Sequence, residues 1–576
     1  MKWNYLLLAF MMCSGCLADA WSNLQDNFTT TATTGGPTTS GTVPTTSDGV
    51  GSSPVATVTG PLDESSSTAV TTTQEPETTT GDMANLPPTI ELFTVSPKDP
   101  NQKQLSEAGP AELQLIVSAD VVKVKLSLDG VELAKNLKPG DFPRNWDALS
   151  AKDNGLAREF EVIVEDAEGL TAKAIDHLDV QLPQTGAEKC SFEDPGKGAV
   201  TSVISALKYT PDAIIAVGTR ETDVGLRLTV WKLNAETCEV LAGWPRSIVD
   251  WTAKNTFAAM TSIGAAVDVD EAGNIVVAGN FVAGGKLQSY VARLTPDGAR
   301  QWEKEGQVGD EVRGVAIATA QFKNRVFVAG AQRTSDIPVR TDGAIWVYIT
   351  DGESVYIQPP VTLKAPFTPE ETDQDEKNER SEKVHAVVIQ PGTGYALAVG
   401  ERELWDGIKL PYYRAFTVLV HPLGDVVGTW TSTADASLLH DAARSVAVCG
   451  DGFLAGGWTR DEPPDSKPHP MIFWIETDGA SMQRRPEPQL ASTQIQGIAC
   501  DKEGKIVSAG TRTAGSPDAQ VFTVLGPLGP RTPYETGVPG DDGAGAVACD
   551  WRGICSWGGF RTANMKPYAF VRVHHP

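Results

Sequence analysis

At 576 residues, the chain is too long for a single core, and its net charge of −25 excludes a nucleic-acid partner. Phosphate backbones are held by basic faces that release counterions, whereas here 48 Lys and Arg stand against 73 Asp and Glu. The same acidic surplus keeps an exported protein soluble.

Residues 1–20 read as an export signal. Lys2 supplies the positive end, Tyr5 to Met12 form an apolar run, and small residues follow at Ser14-Gly15-Cys16. The run is too short to span a bilayer as a permanent helix, and no later segment approaches that length. Ser14-Gly15-Cys16 resembles the end of a bacterial lipobox, with Cys13 where that family usually carries leucine. The resemblance implies lipidation at Cys16 and placement at the outer membrane or cell surface. Ala18-Asp19-Ala20 offers a second processing site, which would instead give a secreted or periplasmic chain cleaved at Ala20.

Residues 21–86 are rich in Thr, Ser, Gly and Pro, and no Lys or Arg occurs between Trp3 and Lys98. Such a stretch has too little apolar surface to offset the entropy of ordering and is expected to be a disordered tether. Fully extended it would reach ~200 Å at ~3.3 Å per residue. Asn27-Phe28-Thr29 fits a glycosylation sequon, although an unmodified spacer is the simpler reading.

Over residues 87–181, short alternating runs predict about seven strands. Thr89 to Val95, Glu112 to Val117 and Val122 to Leu128 come first, and Asp129-Gly130 then turns the chain into Val131-Glu132-Leu133. Asp-Gly between alternating runs is a strong hairpin signal. Glu159 to Val164 and Leu170 to Ala172 follow. The pattern predicts an immunoglobulin-like β-sandwich without its disulfide, and resembles the bacterial Ig-like modules used as spacers in surface proteins. Trp146 reads as a core residue.

From residue 182 to 576 one phrase repeats: an apolar strand, a turn, a small-residue strand ending at glycine, then an aromatic-rich strand. The glycines are Gly218, Gly279, Gly330, Gly400, Gly457, Gly510 and Gly559, roughly 50–70 residues apart. That period suits one four-stranded blade, so an all-β fold ending in a seven-bladed β-propeller is expected. The chain stops just after its last aromatic strand, Ala569 to Val573, so the seventh blade lacks one strand of its own. Residues 182–195, around Lys189-Cys190-Ser191-Phe192-Glu193, are expected to supply it. The run Asp270 to Gly279, followed by Tyr290 to Leu294, Gly298 and Trp302, resembles the seven-bladed bacterial propeller repeats of the SBBP-like kind. The resemblance implies architecture and nothing about activity.

Six cysteines follow Cys16. Cys549 and Cys555 flank a hairpin turn and come within disulfide reach across it. Cys449 and Cys500 hold equivalent positions in adjacent blades, and Cys190 with Cys238 remains as the third pair. No CxxC follows the signal, so no metal site is expected, and no cofactor.

Arginine follows the repeat glycine at Arg220, Arg333, Arg402, Arg460, Arg512 and Arg561, with Phe281 in blade two. Six guanidiniums around one mouth would suit an anionic group. The competing reading pairs each with a neighbouring acid, such as Glu311, Glu382 or Asp441, and ties blade to blade. Asp268 to Asn274 begins like a calcium loop, but Ala272 and Gly279 stand where ligands are needed, so it reads as a turn. The acidic insertion at residues 369–376 reads as a solvated loop. HExxH, GxSxG and P-loop motifs are missing, and the seven histidines share no blade position.

Together these features suggest a monomeric, non-catalytic, lipid-anchored envelope protein whose propeller displays a binding face to a protein or polysaccharide. A propeller enzyme acting on polysaccharide, as hydrolase or lyase, and a scaffold for envelope assembly are the alternatives.

Overall fold

The computed structural model describes residues 86–97, 110–147, 156–181, 187–196, 199–252, 260–283, 286–318, 324–336, 339–351, 354–357, 361–363, 379–404, 412–432, 440–460, 468–477, 482–486, 493–501, 504, 506–512, 519–524, 531–535, 543–550, 553–563 and 566–575. Cys16, Ala20, the Thr-rich tether with Asn27, and the acidic insertion at 369–376 lie outside the described residues.

Strands β1 (Ile90–Pro97), β2 (Pro110–Val117), β3 (Val121–Leu128), β4 (Val131–Leu137), β5 (Arg144–Asp147), β6 (Leu156–Asp166) and β7 (Thr171–Val180) make two antiparallel sheets, ordered β1-β2-β5 and β4-β3-β6-β7. Alternation in the sequence becomes alternation of faces: β6 buries Phe160, Val162 and Val164, and these meet Leu113, Leu115 and Leu126 in one core. Trp146 packs edge-on against Phe160 at the margin of that core, with ring centroids 5.1 Å apart. Asp129 and Gly130 turn β3 into β4 with φ of 49° and 78°, the left-handed pair that a tight hairpin requires.

β8 (Glu188–Glu193) then leads into repeated sheets. The first holds β9 (Ser202–Tyr209), β10 (Ala213–Thr222), β11 (Gly225–Asn234) and β12 (Arg246–Ser247). The second holds β13 (Ser262–Val269), β14 (Ile275–Ala283), β15 (Lys286–Leu294) and β16 (Arg300–Val308). β17 (Asp310–Ile317), β18 (Arg325–Asp336) and β19 (Val339–Asp351) follow, with β20 (Ser354–Ile357) and β21 (Val361–Leu363) both paired to β19. One parallel bridge, Thr341 to Ser381, joins these to β22 (Glu379–Ile389), β23 (Ala396–Leu404), β24 (Tyr412–Val420) and β25 (Val426–Thr431).

Next come β26 (His440–Cys449), β27 (Gly452–Arg460), β28 (His469–Ile475) and β29 (Met482–Pro486), then β30 (Thr493–Cys500), β31 (Ile506–Arg512), β32 (Ala519–Val524) and β33 (Arg531–Glu535). The last sheet contains β34 (Gly543–Cys549), β35 (Cys555–Ala563) and β36 (Lys566–His574), and its outer strand is β8. Val571 lies opposite Phe192 and Val573 opposite Cys190. The chain therefore finishes its last sheet with a strand from the start of this region.

The first strands, β9, β13, β17, β22, β26, β30 and β34, lie side by side in that order, and β34 in turn lies against β9. Second strands such as β10 are buried along Ala213 to Thr219. Both their faces are covered by neighbouring sheets, which explains their continuous apolar sequence. The core between the last and first sheets unites Phe192, Ile204, Trp231, Ala546 and Val571.

Three disulfides fasten this arrangement. Cys549 and Cys555 stand directly opposite each other in the β34–β35 register. Cys449 and Cys500 join the ends of β26 and β30 across neighbouring sheets, and Cys190–Cys238 ties β8 to the turn after β11. Among the described residues no helix is long and apolar enough to cross a membrane.

Candidate functional site

Every one of the first strands carries a bulge at the same place. Pairing with the second strand skips one residue each time: Ser205, Ala265, Arg313, His385, Arg444, Gln496 and Gly545. The extra residue of a bulge is turned away from the ladder, a device that re-aims side chains near functional sites. All of these residues line one cavity of about 180 Å³ where the first strands meet.

The repeat glycines make the bulges possible. Opposite the residue preceding each bulge stands the repeat glycine, as Ile204 faces Gly218, Val384 faces Gly400 and Ala443 faces Gly457. A Cβ at these glycines would collide with a carbonyl two residues before the bulge: that of Val203 for Gly218, Lys383 for Gly400 and Ala442 for Gly457. The periodic glycine is thus a steric requirement of the cavity wall.

The wall is lopsided. Arg313, His385, Arg444 and Gln496 form a polar arc from successive sheets, and Gly545, Ser205 and Ala265 form a small-residue arc opposite. Arg313 Nη1 donates to His385 Nδ1 at 2.8 Å. The ring proton then sits on Nε2, facing Glu401 Oε1 at 3.2 Å. Arg444 reaches the other oxygen of Glu401 at 3.0 Å and places Nη1 3.1 Å from the imidazole. Arg313 Nε lies 2.8 Å from Glu311.

Burial first, then the Arg444 guanidinium, pushes the His385 pKa down to about 3 against the opposing pull of Glu401, so the ring is neutral at pH 7. Burial alone would raise Glu401, but Arg444 and His385 hold it below the usual carboxylate range. The acids balancing this network stand behind the wall: among the described residues the cavity is lined by two guanidiniums and no carboxylate. Gln496 is 5% exposed, its Nε2 donates to Gln494 at 3.3 Å, and its buried Oε1 has no hydrogen-bond partner among the described residues.

The arginines singled out in the sequence are placed elsewhere, and none of the six lines this cavity. Arg402 is fully buried, with Nε and Nη2 each 3.0 Å from Glu382. Arg220 binds Asp194 at 3.0 Å and Arg561 binds Glu193 at 3.2 Å, both acids belonging to the segment that completes the last sheet. Arg460 stacks on Trp458 with Cζ 6.0 Å from the ring centroid. Arg333 bonds Gly309 through its amide, and Arg512 ends β31. Asp270 folds its own turn by accepting from the Ala272 and Asn274 amides, and Asp268 is held by Lys208 at 2.7 Å and the Ile317 amide. Among the described residues no cluster of His, Cys, Asp or Glu suits a metal ion.

Sequence reasoning followed the glycines and passed over the bulged residues. A signal was present: each bulge precedes a small residue and then an aliphatic one, as in Arg313-Gly314-Val315, His385-Ala386-Val387, Arg444-Ser445-Val446 and Gln496-Gly497-Ile498.

Residues 273–300, spanning the β14–β15 hairpin, match the family described as "Domain of unknown function (DUF5122) beta-propeller". The chain contains a β-propeller domain. No curated protein matches the chain. Among solved structures, the propeller is similar to a protein of unknown function from Dyadobacter fermentans (10% identity, TM-score 0.40, 68% of this chain and 100% of that one). It is also similar to Sqt1 from Chaetomium thermophilum (13%, 0.39, 68% and 99%) and to the polysaccharide lyase Uly1 (10%, 0.38, 64% and 89%). Likeness at this level concerns shape alone.

Proposed function

We propose that the protein is a lipid-anchored envelope protein in which a seven-bladed propeller presents its central well to a ligand. Cys16 would carry the lipid, residues 21–86 the tether, and residues 87–181 an Ig-like spacer. The observation that carries the binding reading is the lopsided wall, with polar side chains on one arc and small residues on the other, around a space of about 180 Å³. Mere ring packing gives no reason to spend four long polar residues on one side and leave the other empty. A well this small takes one group of a ligand, the remainder lying across the propeller face. The three disulfides suit an oxidising compartment.

The arrangement of His385 favours binding over proton abstraction. Its acceptor nitrogen takes a hydrogen bond from Arg313 and its donor faces Glu401, so the imidazole holds the arc in place. The rim arginines are read as ties between strands, since Arg220, Arg402 and Arg561 are matched to acids.

The test is a binding panel of neutral and acidic oligosaccharides and peptides, using the full chain and Ala265→Leu. Position 265 is equivalent to those that carry Arg and His, so the backbone there accepts a longer side chain that plugs the well. Binding that the plug abolishes supports the reading, and binding indifferent to it refutes it. Radiolabelled palmitate incorporated into the wild type and lost in Cys16→Ala checks the anchor.

A further inference from the structure

We infer that β25 (Val426–Thr431), the outer strand of one propeller sheet, pairs antiparallel with β25 of a second copy of this chain. Such pairing departs from the monomer expected of the sequence and does not depend on the central well.

An edge strand presents a row of backbone donors and acceptors, and proteins protect it with charge, proline or shortness. The outer strands of the other propeller sheets are protected in these ways. β8, β16, β29 and β33 carry charged residues, among them Lys189, Lys304, Arg484 and Glu535. β12, β20 and β21 have two, four and three residues. β25 has six residues, VVGTWT, with neither charge nor proline. Among the described residues it pairs with β24 alone, and Val426 and Val427 at its start are 45% and 53% exposed. The ladder to β24 skips Val427 and is regular from Gly428 to Thr431.

Register decides which backbone groups face outward. One step beyond the Phe416–Thr431 pair, the Ser432 N–H donates to the Ala415 carbonyl at 2.8 Å, which marks a hydrogen-bonded pair. The two kinds of pair alternate along an antiparallel ladder. Trp430–Thr417 and Gly428–Leu419 are therefore hydrogen-bonded, and Thr429 between them directs its N–H and C=O away from β24. A two-fold axis through Thr429 lets the two copies of this residue exchange both bonds. The same register sets Trp430 opposite Gly428 of the second copy, where the indole covers bare backbone, and threonine opposite threonine.

Charge selects the occupant. The chain carries −25, so two copies repel wherever acids face acids. β25 lets them meet without charge. Asp425, just before it, lies at opposite ends of the pair in the two copies. The two carboxylates stand roughly 27 Å apart at about 3.4 Å per residue, well beyond a screening length of about 8 Å. Two such strands bury far less than the roughly 1,200 Å² of a stable interface, so the dimer is weak, with a Kd of roughly tens to hundreds of micromolar.

The experiment is sedimentation equilibrium of the full chain from micromolar to near-millimolar concentration, at low and high salt. The expected result is a monomer–dimer equilibrium that tightens as salt screens the net charge. Thr429→Pro removes an N–H that makes no bond to β24, and should abolish the dimer with the melting temperature nearly unchanged. Thr429→Glu and Thr429→Lys each set like charges directly opposite and should weaken dimerisation about tenfold or more, whereas their equimolar mixture should restore it. Recovery in the mixture supports self-pairing even where Thr429→Pro fails to fold. Dimerisation unchanged in Thr429→Glu, or a mixture that stays monomeric, overturns it. A wild type that is monomeric throughout also overturns it, and its binding of a short uncharged Thr-Val peptide would assign the edge to another extended partner.

Discussion

Replacing His385 by glutamine should remove a large part of the protein's sensitivity to mild acid. The imidazole is buried among Arg313, Arg444 and Glu401, and its pKa falls from an unfolded 6.5 to about 3. Between those values the unfolded chain binds a proton that the folded chain refuses, so stability drops as pH falls. Taken over the whole interval, the loss approaches about 5 kcal/mol at about 1.4 kcal/mol per pKa unit. From about pH 7.5 to about pH 5 it amounts to about 2 kcal/mol, and Glu401, held below the usual carboxylate range, stays ionised in that window. Glutamine can accept from Arg313 and donate to Glu401, so His385→Gln keeps the network while discarding the titration. Urea unfolding of both proteins across this range measures the difference, which cancels His440, another buried ring whose pKa is lowered to about 4. The two stability curves should diverge by about 2 kcal/mol at the acid end. Parallel curves would mean that His385 titrates normally, and the account of the polar arc would fail.

Gly457→Ala should cost about 2 kcal/mol or more, because its Cβ meets the Ala442 carbonyl. Gly140→Ala, where nothing lies within 4 Å, should be nearly silent in the same thermal melts. Arg402→Met leaves Glu382 buried without its cation and should lose about 3–5 kcal/mol, whereas Arg402→Met with Glu382→Leu should recover most of it in denaturant titrations. Serine at Cys190 and Cys238, which are 48 residues apart in sequence, should cost about 4 kcal/mol by loop-closure entropy. Serine at Cys549 and Cys555, 6 apart, should cost about 2 kcal/mol in the same urea titrations.

Architecture was legible because its causes are local and repeat. A glycine that must clear a carbonyl recurs with every sheet, and a strand covered on both faces announces itself as an apolar run, as in Ala213 to Gly218. The missing strand of the last sheet was legible by subtraction, from the abrupt end after Val573 and the unassigned segment around Phe192. The candidate site was far less visible. Arginines after the repeat glycine stand out in the sequence because they recur, and in the structure Arg220, Arg402 and Arg561 pair with Asp194, Glu382 and Glu193 outside the cavity. The cavity wall is built from positions where the repeat varies, and the only trace a bulge leaves, a small residue then an aliphatic one as in Arg313-Gly314-Val315, is too common in apolar strands to stand out. Arg313 or Gln496 becomes conspicuous only when the ladder shows that nothing stands opposite.

The Cys190–Cys238 bond takes on a mechanical meaning from its position. β8 is the edge strand through which the chain enters the propeller, and a pull from the N-terminal side would peel it from β36 one pair at a time. Peeling can advance only from Glu188 to Cys190 before the load passes into a covalent link to the first sheet. A load applied there would then be shared between the last and first sheets, and the β8–β36 pairing would not carry it alone.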